Sequence, residues 1–228
     1  MRKYKALIFD LDDTLYPERE FVVSGFRAAG KWIGSNLGRP AAQAAADLIG
    51  LHDAGIRRDT FNRWLGANGL EIGKYVEDLV RIYREHAPVI KPFPAVPQLL
   101  TRLHRSYRIG LVSDGLVDVQ RRKLAALGLS DRLDAVVFSD ELGRKMWKPD
   151  PKPFEVALSK LGSSPGDAAY IADNPTKDFL GPRRMGMGTI RVRYAGGYYA
   201  SCKAPAAEYA PEFQIDDIAD LESILGQA

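Results

Sequence analysis

Four short stretches of this chain carry residue types at spacings that can do chemistry. Asp10-Leu11-Asp12-Asp13-Thr14 directly follows the apolar run Ala6-Leu7-Ile8-Phe9. Alternate carboxylates on an extended chain start out on one side. Two acids so placed can divide labour, one as nucleophile and one as general acid and base; the same residues also suit a turn with helix-capping Asp. Ser113-Asp114-Gly115 ends a second apolar run. A hydroxyl with backbone N–H groups at a strand-to-helix turn can hold a phosphate, and is equally an ordinary turn and N-cap. In Lys148-Pro149-Asp150-Pro151 the prolines stiffen the approach to a helix. An aimed Lys148 ammonium suits phosphate oxygens, whereas the bland reading is a solvated lysine like Lys145 and Lys152 beside it. Asp173 and Asp178 bracket Asn174-Pro175-Thr176-Lys177. Both can face a divalent cation, and hard oxygen ligands suit Mg²⁺; an Asx-turn leading into a helix N-terminus would use the same residues.

The elements that must position these groups follow from hydrophobic pattern. Apolar runs at 6–9, 109–112, 135–138, 169–172 and 189–192, with a weaker one at 213–215, read as strands. Helical spacing appears between them in Val96, Leu99, Leu100 and Leu103. It recurs in Val119, Leu124 and Leu127, in Phe154, Ala157, Leu158 and Leu161, and in Leu221, Ile224 and Leu225. Strands alternating with helices predict an α/β fold, a Rossmann-like parallel sheet with helices on both faces. In such sheets ligands bind beyond the carboxyl ends of the strands, where the four stretches fall. Residues 16–92 break the rhythm. They offer no convincing strand but amphipathic stretches at 21–33, 41–51, 58–67 and 73–86, with punctuation at Gly38-Arg39-Pro40 and Asn68-Gly69. The expectation is an inserted α-helical domain over 16–92, with 1–15 and 93–228 forming the α/β core and Pro92-Phe93-Pro94 as a stiff re-entry point.

Taken together and in chain order, Asp10-x-Asp12-x-Thr14, Ser113, Lys148 in Lys-Pro-Asp-Pro, and Asp173-x4-Asp178 resemble the haloacid dehalogenase superfamily of phosphohydrolases. The resemblance covers residues 5–15 and 93–192, and the helical insertion is similar to that superfamily's small C1-type cap. It implies a phosphatase acting on a small phosphate monoester, a sugar phosphate or a nucleotide, through an aspartyl-phosphate. Asp10 would attack phosphorus, and Asp12 would protonate the leaving oxygen and then activate water. Thr14, Ser113, Asp114 and Lys148 would make the phosphate side. Asp10, the Asp12 carbonyl, Asp173 and Asp178 would hold Mg²⁺. Charge supports the metal: four carboxylates and a dianionic phosphate face a single ammonium, Lys148, and such repulsion calls for a divalent cation. Two positions depart from the family's habit. Ala172 stands where Gly is frequent, and Asp114 where Asn is frequent. The Asp114 carboxylate is therefore expected to turn away from the phosphate, so that Asp114→Asn changes phosphate affinity little.

Competing functions share the apparatus. A phosphomutase would retain both acids; a halide-releasing enzyme would leave Asp12 and the metal carboxylates without work; an idle binding module would lack at least one of Asp10, Asp12, Lys148 or Asp173, and none is missing. Composition narrows the partners. Of 228 residues, 46% are hydrophobic and 27% charged, which rules out a mainly disordered chain. Thirty-two Lys and Arg against 29 Asp and Glu, with no basic run, argue against nucleic acid. No stretch approaches a membrane span. The basic start stops at Asp10, too early for an export signal, and the single Cys202 forms no internal disulfide, so a cytoplasmic setting is expected. Nothing selects between a monomer and a dimer. In the insertion, Arg19, Phe21, Arg57, Arg58 and Trp64 are candidates to contact substrate, although Phe21 and Trp64 suit its core and the arginines suit solvent. His52, His86 and His104 read as structural or surface residues, and Tyr194, Tyr198 and Tyr199 as loop packing.

Overall fold

The structure is a computed structural model and describes residues 4–226. The chain divides into two compact units, one built from residues up to 18 together with 91 onward, the other from Arg19–Ile90.

The first unit is the α/β one. Its strands are β1 (Ala6–Phe9), β2 (Arg108–Ser113), β3 (Ala135–Phe138), β4 (Ala168–Ala172), β5 (Gly188–Val192) and β6 (Phe213–Ile215). They form one sheet in the order β3-β2-β1-β4-β5-β6, every pairing parallel. The chain's helices are α1 (Glu18–Leu37), α2 (Ala41–Asp53), α3 (Thr60–Ala67), α4 (Ile72–Glu85), α5 (Val96–Leu103), α6 (Val117–Leu127), α7 (Lys152–Leu161), α8 (Leu180–Met185) and α9 (Leu221–Leu225).

The apolar runs become strands because both faces of the sheet are covered. Ala6 and Ile8 pack with Val112, Val137, Tyr170 and the α7 residues Phe154, Ala157, Leu158 and Leu161. Leu7 and Phe9 point to the other face and are also fully buried. Burying a side chain of that size stabilises by roughly 1.5–3 kcal/mol. Helices α6 and α7 end on Gly128 and Gly162, both left-handed with φ of 63° and 61°, a conformation glycine enters without steric cost.

Two helices differ from expectation. The inward face of α6 is not centred on Val119, which is only partly buried; Gln120, Lys123, Leu124 and Leu127 are its buried residues. The Leu pair sets the apolar stripe, and the polar pair one turn before it continues the same face into the site. Helix α8 has no counterpart among the helices expected from the sequence. Gly181 is needed there: a Cβ would lie 2.6 Å from the Pro149 carbonyl oxygen.

The sheet order places β1 between β2 and β4. Connections leave to opposite sides at this point, which makes the crevice at its carboxyl end the natural ligand site. Phe9 pairs with Leu111 and with Ile171, so Asp10, Ser113 and Asp173 all emerge at that end.

The second unit is helical, formed by α2, α3, α4 and α1 from Arg19 onward, around Phe26, Ile33, Leu48, Trp64, Leu65 and Leu79. Phe21 and Tyr83 meet edge-to-face at 5.7 Å. Among the described residues, no helix is long and apolar enough to cross a membrane.

Candidate active site

Asp10 is held where the β1 ladder ends, its N–H donating to the Ile171 carbonyl at 2.9 Å. The Lys148 ammonium, its side chain wholly buried, lies 2.5 Å from Asp10 Oδ1 and 2.8 Å from Asp178 Oδ1, and donates to the Tyr170 hydroxyl at 3.0 Å. Asp178 Oδ2 accepts the Asn174 N–H at 3.0 Å, closing the 173–178 turn. Asp10, Asp173 and Asp178 each bring a carboxylate oxygen within 4.8 Å of the others, and all three are buried. Asp173 has no ion-pair partner among the described residues.

Two carboxylates share one ammonium, the third stands beside them unpaired, and the pKa directions report the crowding. Burial raises Asp10 to about 6, with Lys148 opposing and Asp178 adding to the rise. Burial, then Asp178 and Asp10, push Asp173 well above the carboxylate range. Burial would lower Lys148, but Asp10 and Asp178 hold it protonated. Hard oxygen donors with this charge deficit fit a divalent cation such as Mg²⁺, and such an ion would invert the pKa pattern.

Asp12 does not join this trio. Lys123 Nζ holds its two oxygens at 2.7 and 2.9 Å, Gln120 Nε2 donates to Oδ2 at 2.9 Å, and the Tyr16 hydroxyl donates to Oδ1. Burial alone would raise Asp12, but the Lys123 charge and these hydrogen bonds hold it below the usual range. Gln120 also donates to Ser113 Oγ at 2.6 Å. Ser113 and Thr14 are almost wholly buried, and neither they nor Lys148 and Asp178 are among the residues lining the cleft. The Thr14 hydroxyl has no hydrogen-bond partner among the described residues.

The expectation for Asp114 needs correction. Its carboxylate does not turn away; Asp114 lines the cleft, with Oδ1 accepting the Lys148 N–H at 3.2 Å and Oδ2 paired to Lys177 Nζ at 2.8 Å. Nor does it cap α6. Its charge is spent on Lys177, so Asp114→Asn would release an ammonium beside the phosphate. Inorganic phosphate binding, measured calorimetrically, is then expected to tighten by roughly tenfold, about 1.4 kcal/mol; unchanged affinity would restore the sequence-based expectation.

The cleft itself measures about 150 Å³. Asp10, Asp12, Asp114 and Asp173 line it as the sequence suggested, but so do Glu18, Trp147, Asn174, Lys177 and Tyr199, which it did not single out for the site. Burial, then the Asp12 charge, pushes Glu18 up to about 8, so that its carboxyl keeps its proton at neutral pH. Among the missed residues, Gln120 and Lys123 left a signal, a polar pair in register with Leu124 and Leu127. Trp147 and Lys177 were adjacent to, or inside, motifs already marked. Glu18 and Tyr199 left none.

In the helical unit, Phe21 and Trp64 belong to the buried core, and Arg19 is paired with Asp53 at 2.6 Å. Arg57 and Arg58 are exposed. His52 is buried against Phe26, and His104 lies 3.1 Å from Asp134.

Comparison with known proteins agrees with this geometry. Residues 7–192 match the family described as haloacid dehalogenase-like hydrolase. A glyceraldehyde 3-phosphate phosphatase from Methanopyrus kandleri is 31% identical over 93% of both chains. Among solved structures, a haloacid dehalogenase-like phosphatase from Thermococcus onnurineus has a TM-score of 0.63 at 25% identity, covering 97% of this chain and 98% of its own. The hydrolase YfnB from Bacillus subtilis, solved bound to magnesium, shares the fold with a TM-score of 0.69 at 20% identity, covering 98% and 99%. The fold and the site define a hydrolase of the parallel α/β class, and the chain belongs to the haloacid dehalogenase-like hydrolases. Within that family it is a phosphatase, a phosphoric monoester hydrolase.

Proposed function

We propose that the protein hydrolyses a small sugar phosphate with Mg²⁺ bound, through an aspartyl-phosphate on Asp10. The observation that carries this reading is the meeting of three buried carboxylates, Asp10, Asp173 and Asp178, of which Asp10 and Asp178 share one ammonium and Asp173 has no ion-pair partner among the described residues, beside a cleft of about 150 Å³. The likeness to the glyceraldehyde 3-phosphate phosphatase of Methanopyrus kandleri supports a short sugar phosphate over a nucleotide.

Asp10, Asp173 and the Asp12 carbonyl would hold the ion, with Asp178 directly or through water. When bound, the ion supplies charge neutralisation that lets an anionic carboxylate approach an anionic phosphoryl group. The remaining work belongs to the chain. Lys148 fixes one Asp10 oxygen and leaves the carboxylate aimed at phosphorus; with Ser113 it gathers charge that develops on the transferring group. Asp12, once protonated from solvent, gives that proton to the leaving oxygen, and the carboxylate this leaves takes one from the hydrolytic water. Lys123, Gln120 and Tyr16 hold it as a carboxylate in the resting site, the form that activates water in the second half-reaction. The helical unit acts as a cap that selects the substrate, and the reaction takes place in the cytoplasm on a free metabolite.

Phosphate release from a panel of sugar phosphates tests this. Turnover is expected only with Mg²⁺, stopping in excess EDTA and returning when Mg²⁺ is restored. Full activity in EDTA would overturn the metal assignment; no release from any member would overturn the phosphatase reading. Transfer dependent on a bisphosphate activator would make the enzyme a mutase.

A further inference from the structure

Asp13 is the one acid of the Asp10–Thr14 stretch to which neither the motif nor the proposed mechanism gives a task. It is buried, and its backbone is left-handed with φ of 50°, the single non-glycine residue so placed among the described ones. Asp tolerates that conformation better than most side chains but gains nothing from it. What the conformation achieves is a direction for the carboxylate. Oδ1 accepts the N–H of Glu18, the first residue of α1, at 2.8 Å. Oδ2 accepts the N–H of Tyr198 at 2.8 Å, from a loop 185 residues away. Glu18, and Tyr199 next to Tyr198, line the cleft.

The loop is tied from its other side as well. The Tyr199 carbonyl accepts from Arg191 Nη2 at 2.6 Å, and Arg191 Nε donates to the Asp173 carbonyl at 3.0 Å. Tyr194, at the start of the loop, stacks on Phe93 with ring centroids 3.8 Å apart. Segment 194–201 has no helix or strand of its own, so these ties are what give Tyr199 a defined place.

We propose that Asp13 is a positioning residue: by accepting the Glu18 and Tyr198 N–H groups together, it holds Glu18 and Tyr199 in the cleft on the side where the leaving group of the phosphate monoester lies. The inference rests on the phosphatase reading for its substrate and on hydrogen bonds alone for the clamp. Glu18 lines the same cleft as Asp12, the group assigned to the leaving oxygen. The phosphoryl side, formed by Lys148, Ser113 and the metal carboxylates, makes no use of Asp13.

The test uses Asp13→Gly, which accepts the left-handed backbone without cost and removes both acceptors, and Asp13→Asn, which tolerates the same backbone and retains one. Amide hydrogen exchange at Glu18 and Tyr198 is expected to accelerate about tenfold or more in Asp13→Gly. With p-nitrophenyl phosphate and Mg²⁺, KM is expected to rise about tenfold while kcat stays within about threefold and the inhibition constant of inorganic phosphate within about twofold. Asp13→Asn should fall between Asp13→Gly and wild type on each measure. Exchange unchanged in Asp13→Gly would overturn the clamp. Accelerated exchange with an unchanged KM, or with KM and the phosphate inhibition constant rising together, would overturn the positioning role. If the wild type releases no phosphate, it is the phosphatase reading that fails, and the exchange result alone decides the clamp.

Discussion

Asp10→Asn is expected to abolish turnover, by about 10⁴-fold or more, while leaving the fold intact. Asparagine keeps the volume and one carbonyl oxygen for Lys148, but its amide does not form an acyl-phosphate; removal of a nucleophile from a group that acts as a unit costs this much or more. Its effect on stability depends on the metal. Without Mg²⁺, one of three crowded buried carboxylates, two of them on the Lys148 ammonium, becomes neutral, so the variant should unfold at a urea concentration equal to or above that of the wild type. With saturating Mg²⁺ the order should reverse, because the wild type gains binding energy that the variant has partly lost. Turnover within tenfold of wild type would remove Asp10 as the nucleophile. An unchanged stability difference with and without Mg²⁺ would remove it as a metal ligand.

Lys148→Met is expected to lose about 3–5 kcal/mol of stability in the absence of metal, together with about 10²–10³-fold in kcat. The ammonium is enclosed between Asp10 Oδ1 at 2.5 Å and Asp178 Oδ1 at 2.8 Å, with the Tyr170 hydroxyl at 3.0 Å. Methionine fills a similar volume but strands two buried carboxylates, and breaking a buried ion pair from one side carries this order of cost. The catalytic loss follows from removing a preorganised charge beside the transferring phosphoryl group. Urea unfolding with and without Mg²⁺ separates the two roles: the ion supplies the missing positive charge, so the stability gap should narrow with metal while kcat stays low. A variant as stable as wild type in EDTA would show that the carboxylates do not depend on this lysine.

These expectations divide by where their information lay. Ala6–Phe9 followed at once by Asp10 is a local pattern: a run buried on both faces reads as a strand of a parallel sheet, and the first acid beyond it stands at the sheet's ligand-binding end. The same logic marked Ser113 after β2 and Asp173 after β4. Helix α8 was hidden because Gly181 is chosen for its contact with Pro149, and such a contact leaves no periodic trace. Val119 misled because the face of α6 is set by what it packs against, and Gln120 and Lys123 face the site where a pattern of apolar residues alone predicts apolar ones.

The sequence by itself determined the α/β architecture and the acids that close its strands, because strand and helix periods and the residues closing each strand are properties of neighbours along the chain. The tertiary structure alone decided which ammonium serves which carboxylate: Lys148 for Asp10 and Asp178, Lys123 for Asp12, Lys177 for Asp114. It also decided that Asp13 reaches Tyr198 and that Tyr199 borders the cleft. The physical reason is that charge pairing and hydrogen bonding act over a few ångströms of space, and partners separated by 30 to 185 residues share no local pattern that could announce the pairing.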